Sequence, residues 1–173
     1  MCDLTTGFAV GCIESIGGVS EFLFANMPTD FAVTQNASGM ATAIAGTSLL
    51  YYQYECTKAQ GSASSFNDNP QVNSQNGTSY FDQVATYILN KMEQVKRNEI
   101  KMLARAKLSV IIKDNNGKYW LMGQTTGARL TTGDVGSGVA SADRNGYSLS
   151  FQAQEYDPMA EVDPSIIAAL ITP

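Results

Sequence analysis

The chain offers few residues that could do chemistry. Histidine is absent from all 173 positions. That removes the commonest general base, the commonest metal ligand and every nucleophile triad built on an imidazole. The cysteines are Cys2, Cys12 and Cys56, with no Cys-x-x-Cys spacing that would suggest zinc or redox work. Scattered reduced thiols are the expected state, with a Cys2–Cys12 disulfide as the alternative. Asp134 with Asp143, or Glu155 with Asp157, can be drawn as acid–base pairs. Turn and loop carboxylates are common, however, and no partner groups converge on these. The Gly/Thr/Ser-rich stretch from Gly123 to Asp143 lacks the Gly-x-x-x-x-Gly-Lys-Ser/Thr spacing of a phosphate cradle. Asp143-Arg144-Asn145-Gly146 is a turn without the alternating oxygens and distal Glu of a calcium loop. Neither a catalytic residue nor a metal or cofactor is expected.

Charge is the next signal. The formal net charge is −5, unevenly spread, with no Lys or Arg before Lys58. Basic residues then gather from Lys91 to Lys118, and Lys96, Arg97, Lys101 and Arg105 lie within one helical stretch. An acidic chain is a poor candidate for tight binding to nucleic-acid phosphates. The basic cluster reads as a solvated face or as a patch for an acidic neighbouring subunit. The composition, 44% hydrophobic and 16% charged, is that of a globular protein, and the length suits one domain with a real core. No apolar run is long enough to span a bilayer and no leader pattern opens the chain. The sequons at Asn36 and Asn76 are therefore expected to be unused.

The clearest element is a hairpin over Leu108 to Gly123. Leu108, Val110 and Ile112 alternate with Ser109, Ile111 and Lys113. Asn116-Gly117 then predicts a type I′ turn, and Lys118 to Met122 returns with the only tryptophan, Trp120. Tyr147 to Glu155 is a clean strand, with Tyr147, Leu149, Phe151 and Ala153 inward. Glu21 to Asn26, Phe31 to Thr34, Met40 to Ile44 and Ser48 to Thr57 are further strands. Ser79 to Met92 fits a helical stripe or a strand; its Tyr, Phe, Thr, Val and Ile favour a strand to about Asn90. Glu93 to Lys107 is a helix, and Asp163-Pro164 caps a short one over Ser165 to Leu170. Residues 1–20 read as an arm. Lys58 to Thr78 reads as a long polar loop carrying Phe66, Asn67, Asp68, Asn69 and Val72, because Gly, Ser, Asn, Asp and Gln dominate it. The expected fold is a β-rich α+β domain over 1–173, an antiparallel sandwich or barrel with one flanking helix.

Four stretches carry a resemblance: Cys2 to Gly18; Asn76-Gly77-Thr78-Ser79-Tyr80-Phe81; Asn116-Gly117-Lys118-Tyr119-Trp120-Leu121-Met122-Gly123; and Asp143-Arg144-Asn145-Gly146-Tyr147. In these the chain resembles the major tail, or tail tube, proteins of tailed bacteriophages of gut Bacteroidetes-type hosts. The resemblance implies a virion structural protein that forms hexameric rings. The rings stack into a tail tube, assembled in the bacterial host cytoplasm, through which DNA passes without specific binding. Other tail or connector proteins would be its further partners, with no membrane involved. It implies that long loops and terminal arms join ring to ring; Phe66, Asn67, Asp68, Asn69 and Val72 would belong to such a loop. A ring, connector or stopper protein elsewhere in the virion is the near alternative. A carbohydrate-binding β-sandwich, with Tyr51, Tyr52, Tyr54, Tyr119 and Trp120 as a stacking platform, is the distant one.

Overall fold

A computed structural model describes residues 7, 15–56 and 64–171. Among the described residues, eleven strands form two sheets and two helices accompany them. The larger, with seven strands, contains β1 (Val19–Asn26), β2 (Ala32–Gln35), β3 (Ala41–Ala45), β4 (Tyr52–Glu55), β7 (Leu108–Asp114), β8 (Tyr119–Met122) and β11 (Ala160–Val162), in the order β2-β3-β11-β8-β7-β1-β4. The smaller contains β5 (Ser65–Asn73), β6 (Thr78–Asn90), β9 (Arg129–Gly136) and β10 (Gly146–Glu155), in the order β5-β6-β10-β9. All pairings are antiparallel except β11 with β3. The β-rich α+β sandwich read from the sequence is the fold observed.

Alternation decides the packing. Phe22 and Phe24 of β1, Val110 and Ile112 of β7 and Met122 of β8 face one way. They meet Ala85 and Tyr87 of β6 and Leu149 and Phe151 of β10 between the sheets. The opposite residues of the larger sheet, Leu23, Ala25, Ile111 and Leu121, form a second cluster with Tyr51 and Ile167. Helix α2 (Pro164–Leu170) covers this outer face; Asp163 caps it by accepting from Ser165 N–H at 2.9 Å. Burial on both faces explains why Val110, Ile111 and Ile112 run consecutively in β7. Tyr51 is wholly buried, its hydroxyl 2.7 Å from Ser109 Oγ, and burial pushes its phenol far above the ordinary value.

The β7–β8 hairpin differs from the type I′ expectation in its turn. Gly117 has φ +82°, but Asn116 is not left-handed. Gly117 N–H donates to Asp114 O at 3.2 Å and Asp114 N–H to Lys118 O at 2.9 Å, a three-residue loop with one left-handed glycine at its end. Asp114 Oδ1 explains the choice: it accepts from the Asn116 and Lys118 amides at 2.8 and 2.9 Å, which needs Asn116 right-handed. Asn116 in turn grips Ile16 through its amide, 2.9 Å from Ile16 N and 3.0 Å from Ile16 O. Gly117→Val should therefore cost about 1–3 kcal/mol from the left-handed backbone alone, read as a lowered denaturation midpoint with an unchanged slope.

Three sequence readings need correction, one of them the helix over Glu93 to Lys107, which ends at Leu103 and leaves Arg105 in the turn beyond it. The arm over 1–20 ends earlier, because Val19 and Ser20 already belong to β1; residues 1–6 and 8–14, and with them Cys2 and Cys12, lie outside the described residues. Lys58 to Thr78 is not one long loop: from Ser65 it is strand β5, paired with β6 from Ser65↔Thr86 to Asn73↔Thr78. Asn, Asp and Pro depress strand propensity, and the alternation of Phe66, Asp68 and Val72 was too sparse to outweigh them. Pro70 is tolerated because β5 is an edge strand. The Gly/Thr/Ser-rich stretch from Gly123 to Asp143, to which the sequence reading assigns no element, contains strand β9.

Candidate assembly surface

Strand β6 is 13 residues long, but β10 covers only Phe81 to Asn90 of it. Beyond Phe81, β5 is its only partner among the described residues. Gln71–Asn73 and Thr78–Tyr80 thus form a two-stranded ribbon past the end of the body, closed by the turn 74–77. Every residue from Asn69 to Ser79 is exposed, and Val72 retains 74% of its surface. Asn73 Oδ1 organises the turn by accepting from Gln75 N–H at 3.0 Å and Asn76 N–H at 3.3 Å.

The proposed loop residues divide along this strand. Phe66 faces inward, its ring centroid 6.3 Å from that of Trp120. Asp68 also faces the body: Oδ2 accepts from Met159 N–H at 2.7 Å, while Oδ1 is buried without a partner among the described residues. Burial raises the Asp68 carboxyl above its ordinary value, against the smaller effect of the Met159 bond. Asn67 and Asn69 point to the opposite face, and Val72 lies on the ribbon. Phe66 therefore anchors β5 to its own body, and a contact with a second molecule falls to the segment beyond Pro70.

A raised carboxyl value means that the folded protein holds this proton to higher pH than the unfolded chain does. Asp68 therefore lowers stability as pH climbs from the usual carboxylate range through its raised value. Asp68→Asn keeps the acceptor for Met159 and removes the buried charge. The variant should be at least as stable as the parent at pH 7, with a flatter stability–pH curve above pH 4; thermal melts across pH test it.

The outward face of the smaller sheet is polar and nearly free of cations. β10 presents Ser148, Ser150, Gln152 and Gln154; β6 presents Asp82, Val84 and Thr86, with Ile88 of the same side buried; β5 presents Ser65, Asn67 and Asn69. Asp82 Oδ1 accepts from Gln152 Nε2 at 2.6 Å. On β9, Thr132 and Asp134 lie opposite Ser150 and Ser148, and Arg129 is the one basic residue on the face among the described residues. Both edges of this sheet, β5 and β9, have no further strand among the described residues. Such edges offer unpaired backbone groups to another chain.

Helix α1 (Gln94–Leu103) packs on the core between the sheets through Leu103 and Ile100. It buries only Leu103 fully, leaving Val95 and Met102 exposed. An apolar groove of about 270 Å³ runs beneath it, lined by Tyr54, Tyr87, Leu89, Val95, Ile100, Leu103 and Leu149 among others. Lys96 is committed within the chain: Nζ lies 3.3 Å from Glu93 Oε2 and donates to Asn90 O and Lys91 O. It braces the junction where Lys91 takes a left-handed φ of 65°. Arg97, Lys101 and Arg105 are exposed. Of the four basic positions, these three remain available to a partner.

The rival sites do not come together. Tyr51 is buried, Tyr54 packs edge-on against Phe24 at 5.1 Å, and Tyr119 points to the face opposite Trp120. A shared stacking platform is therefore not formed. Glu155 Oε1 accepts from the Thr125 and Thr126 amides at 2.9 and 2.8 Å, which fixes the β8–β9 turn. Asp143 likewise holds the Val139 and Ala140 amides, and these hydrogen bonds keep its carboxyl below the ordinary value. Both are turn-building carboxylates. No family model, curated protein or solved structure matches the chain.

Proposed function

We propose that the protein is a virion structural protein, the subunit of hexameric rings that stack into a bacteriophage tail tube. It would assemble in the host cytoplasm and act without a cofactor. The observation that carries this reading is the ribbon over 71–80. A two-stranded hairpin is marginal in water on its own, and this one extends past the sheet that supports its base. A second molecule that covers it would explain why so polar a segment keeps its strand pairing. The smaller sheet supports the same reading. Joining β9 of one copy to β5 of the next would satisfy both edges and turn the polar face into a continuous wall. A wall with few cations would let DNA slide, because each phosphate–cation contact adds to affinity. Stacked rings would place the ribbon against the next ring.

Electron microscopy of the purified protein tests this. Rings or tubes are expected; monodisperse monomers at assembly concentrations would overturn the reading. The exposed cations on α1 and just beyond its end add a second test. Arg97, Lys101 and Arg105 facing an acidic neighbour would make ring formation weaken as salt rises, since the screening length falls from about 8 Å to about 3 Å between physiological and molar salt. Sedimentation across that range reads it, and salt-indifferent rings would leave the helix as a solvated face.

A further inference from the structure

Asn-Gly occurs three times, at Asn76-Gly77, Asn116-Gly117 and Asn145-Gly146. In each, the asparagine Cγ can close a five-membered ring with the following backbone nitrogen. Glycine permits this best because it has no Cβ to crowd the approach. The fold treats the three pairs differently.

Asn116 is held on both sides. Its Oδ1 accepts from Ile16 N–H at 2.9 Å, its Nδ2 donates to Ile16 O at 3.0 Å, and Gly117 N–H is engaged by Asp114 O at 3.2 Å. Asn145 sits at a packed strand start. Its Oδ1 accepts from Met92 N–H at 3.4 Å, and Gly146 is buried in the ladder between Asn90 and Gly136. A Cβ on Gly146 would come within 2.2 Å of Leu89 O, so this backbone has no room to turn. Asn76 is the opposite case. Both it and Gly77 are exposed at the ribbon tip, and a Cβ on Gly77 would meet nothing within 4 Å. Neither the Asn76 side chain nor Gly77 N–H makes a hydrogen bond among the described residues.

We propose that Asn76 is a site of spontaneous deamidation, and that the fold shields Asn116 and Asn145 from the same reaction. Gly77 N, losing its proton to solvent, attacks Asn76 Cγ. The N–Cγ bond forms, the Cγ–Nδ2 bond breaks, and ammonia leaves. Water then opens the cyclic imide at either carbonyl, which yields an aspartyl or an isoaspartyl residue. No oxidant, reductant or enzyme is required. The product adds one negative charge at the tip of an already acidic chain, and the isoaspartyl form lengthens the backbone of the turn by one methylene.

The test is to hold the purified chain at mildly alkaline pH, diluted until sedimentation shows monomers so that no neighbour covers the ribbon, and to follow all three peptides by mass spectrometry. The amide-to-acid mass change and an isoaspartate-specific methylation assay report the two products. Loss of amide should be at least about tenfold faster at Asn76, because the other two sites must first open retained hydrogen bonds. In denaturant the three rates should converge. Asn76→Gln should abolish the early signal, because its ring closure is less favourable. Equal rates at the three sites in the folded protein would overturn the proposal. So would an Asn76 amide that survives in the folded chain while the denatured chain loses it.

Discussion

Cutting the ribbon back should leave a folded, ring-forming protein that cannot extend tubes. The cut replaces Gln71 to Tyr80 with Asp-Gly, so that the directly paired Pro70 and Phe81 become the residues flanking a tight turn. The removed segment is exposed except for part of Tyr80, so little apolar burial is lost. Contacts nearer the body remain: Phe66 on Trp120, Asp68 on Met159 and the pairing of Ser65 to Asp68 with Gln83 to Thr86. Removing all of β5 would be a different experiment. It would strip an edge strand and Phe66 from the core and lower the melting temperature directly. With the shorter cut, the melting temperature should stay within a few degrees, about 1 kcal/mol for a chain of this size. Tube growth, read by electron microscopy, should fail. Tubes of normal length would remove the ribbon from the assembly, and a collapsed melt would make it part of the folding unit. Val72→Asp should give a weaker defect of the same kind, as a charge placed on the most exposed apolar side chain of the ribbon.

What could be read from the sequence followed the strength of the apolar alternation. Strands β7, β8 and β10 carry large apolar residues at every second position, and their existence and inward faces were legible. So was α1, from its helix formers, and α2, from Asp163-Pro164. Strand β6 is legible in its β-branched and aromatic content, although its spacing also fits a helix. Strands β5 and β9 were hidden for one shared reason. Each is an edge strand with one face to solvent, so half of its positions carry Asn, Gln, Thr or Asp, and the inward positions include Asp68 and Gly133, which are not apolar. Those two edges form much of the candidate assembly surface. The sequence therefore placed Phe66 in a loop facing a partner, where the fold places it on Trp120. The basic helix was visible as a charge cluster, but the inward role of Lys96 depends on the Lys91 turn and on Glu93, which spacing alone does not show.

Phe24→Ala should be the most damaging single change in the core. Phe24 is 2% exposed and lies where β1, β4, β6 and β10 meet. Its ring centroid is 4.9 Å from Phe151, 5.1 Å from Tyr54, 5.7 Å from Phe22 and 6.1 Å from Tyr87. Truncation removes the partner of aromatic contacts from both sheets and leaves a cavity that strands on both sides cannot close, because each is fixed in its ladder. A large-to-small change of this kind costs about 3–5 kcal/mol. For a chain of this length that is a fall of roughly 6–20 °C in melting temperature. Phe24→Leu keeps most of the volume and should lose less than half as much. The damage should also reach α1, because Tyr54 packs on Phe24 and lines the groove beneath the helix. Amide exchange in Gln94 to Leu103 should therefore rise in Phe24→Ala more than exchange in α2, which packs on the far side of the larger sheet. A melt within 2 °C of the parent, or equal protection loss in both helices, would show that the aromatic cluster does not hold the two sheets and α1 together.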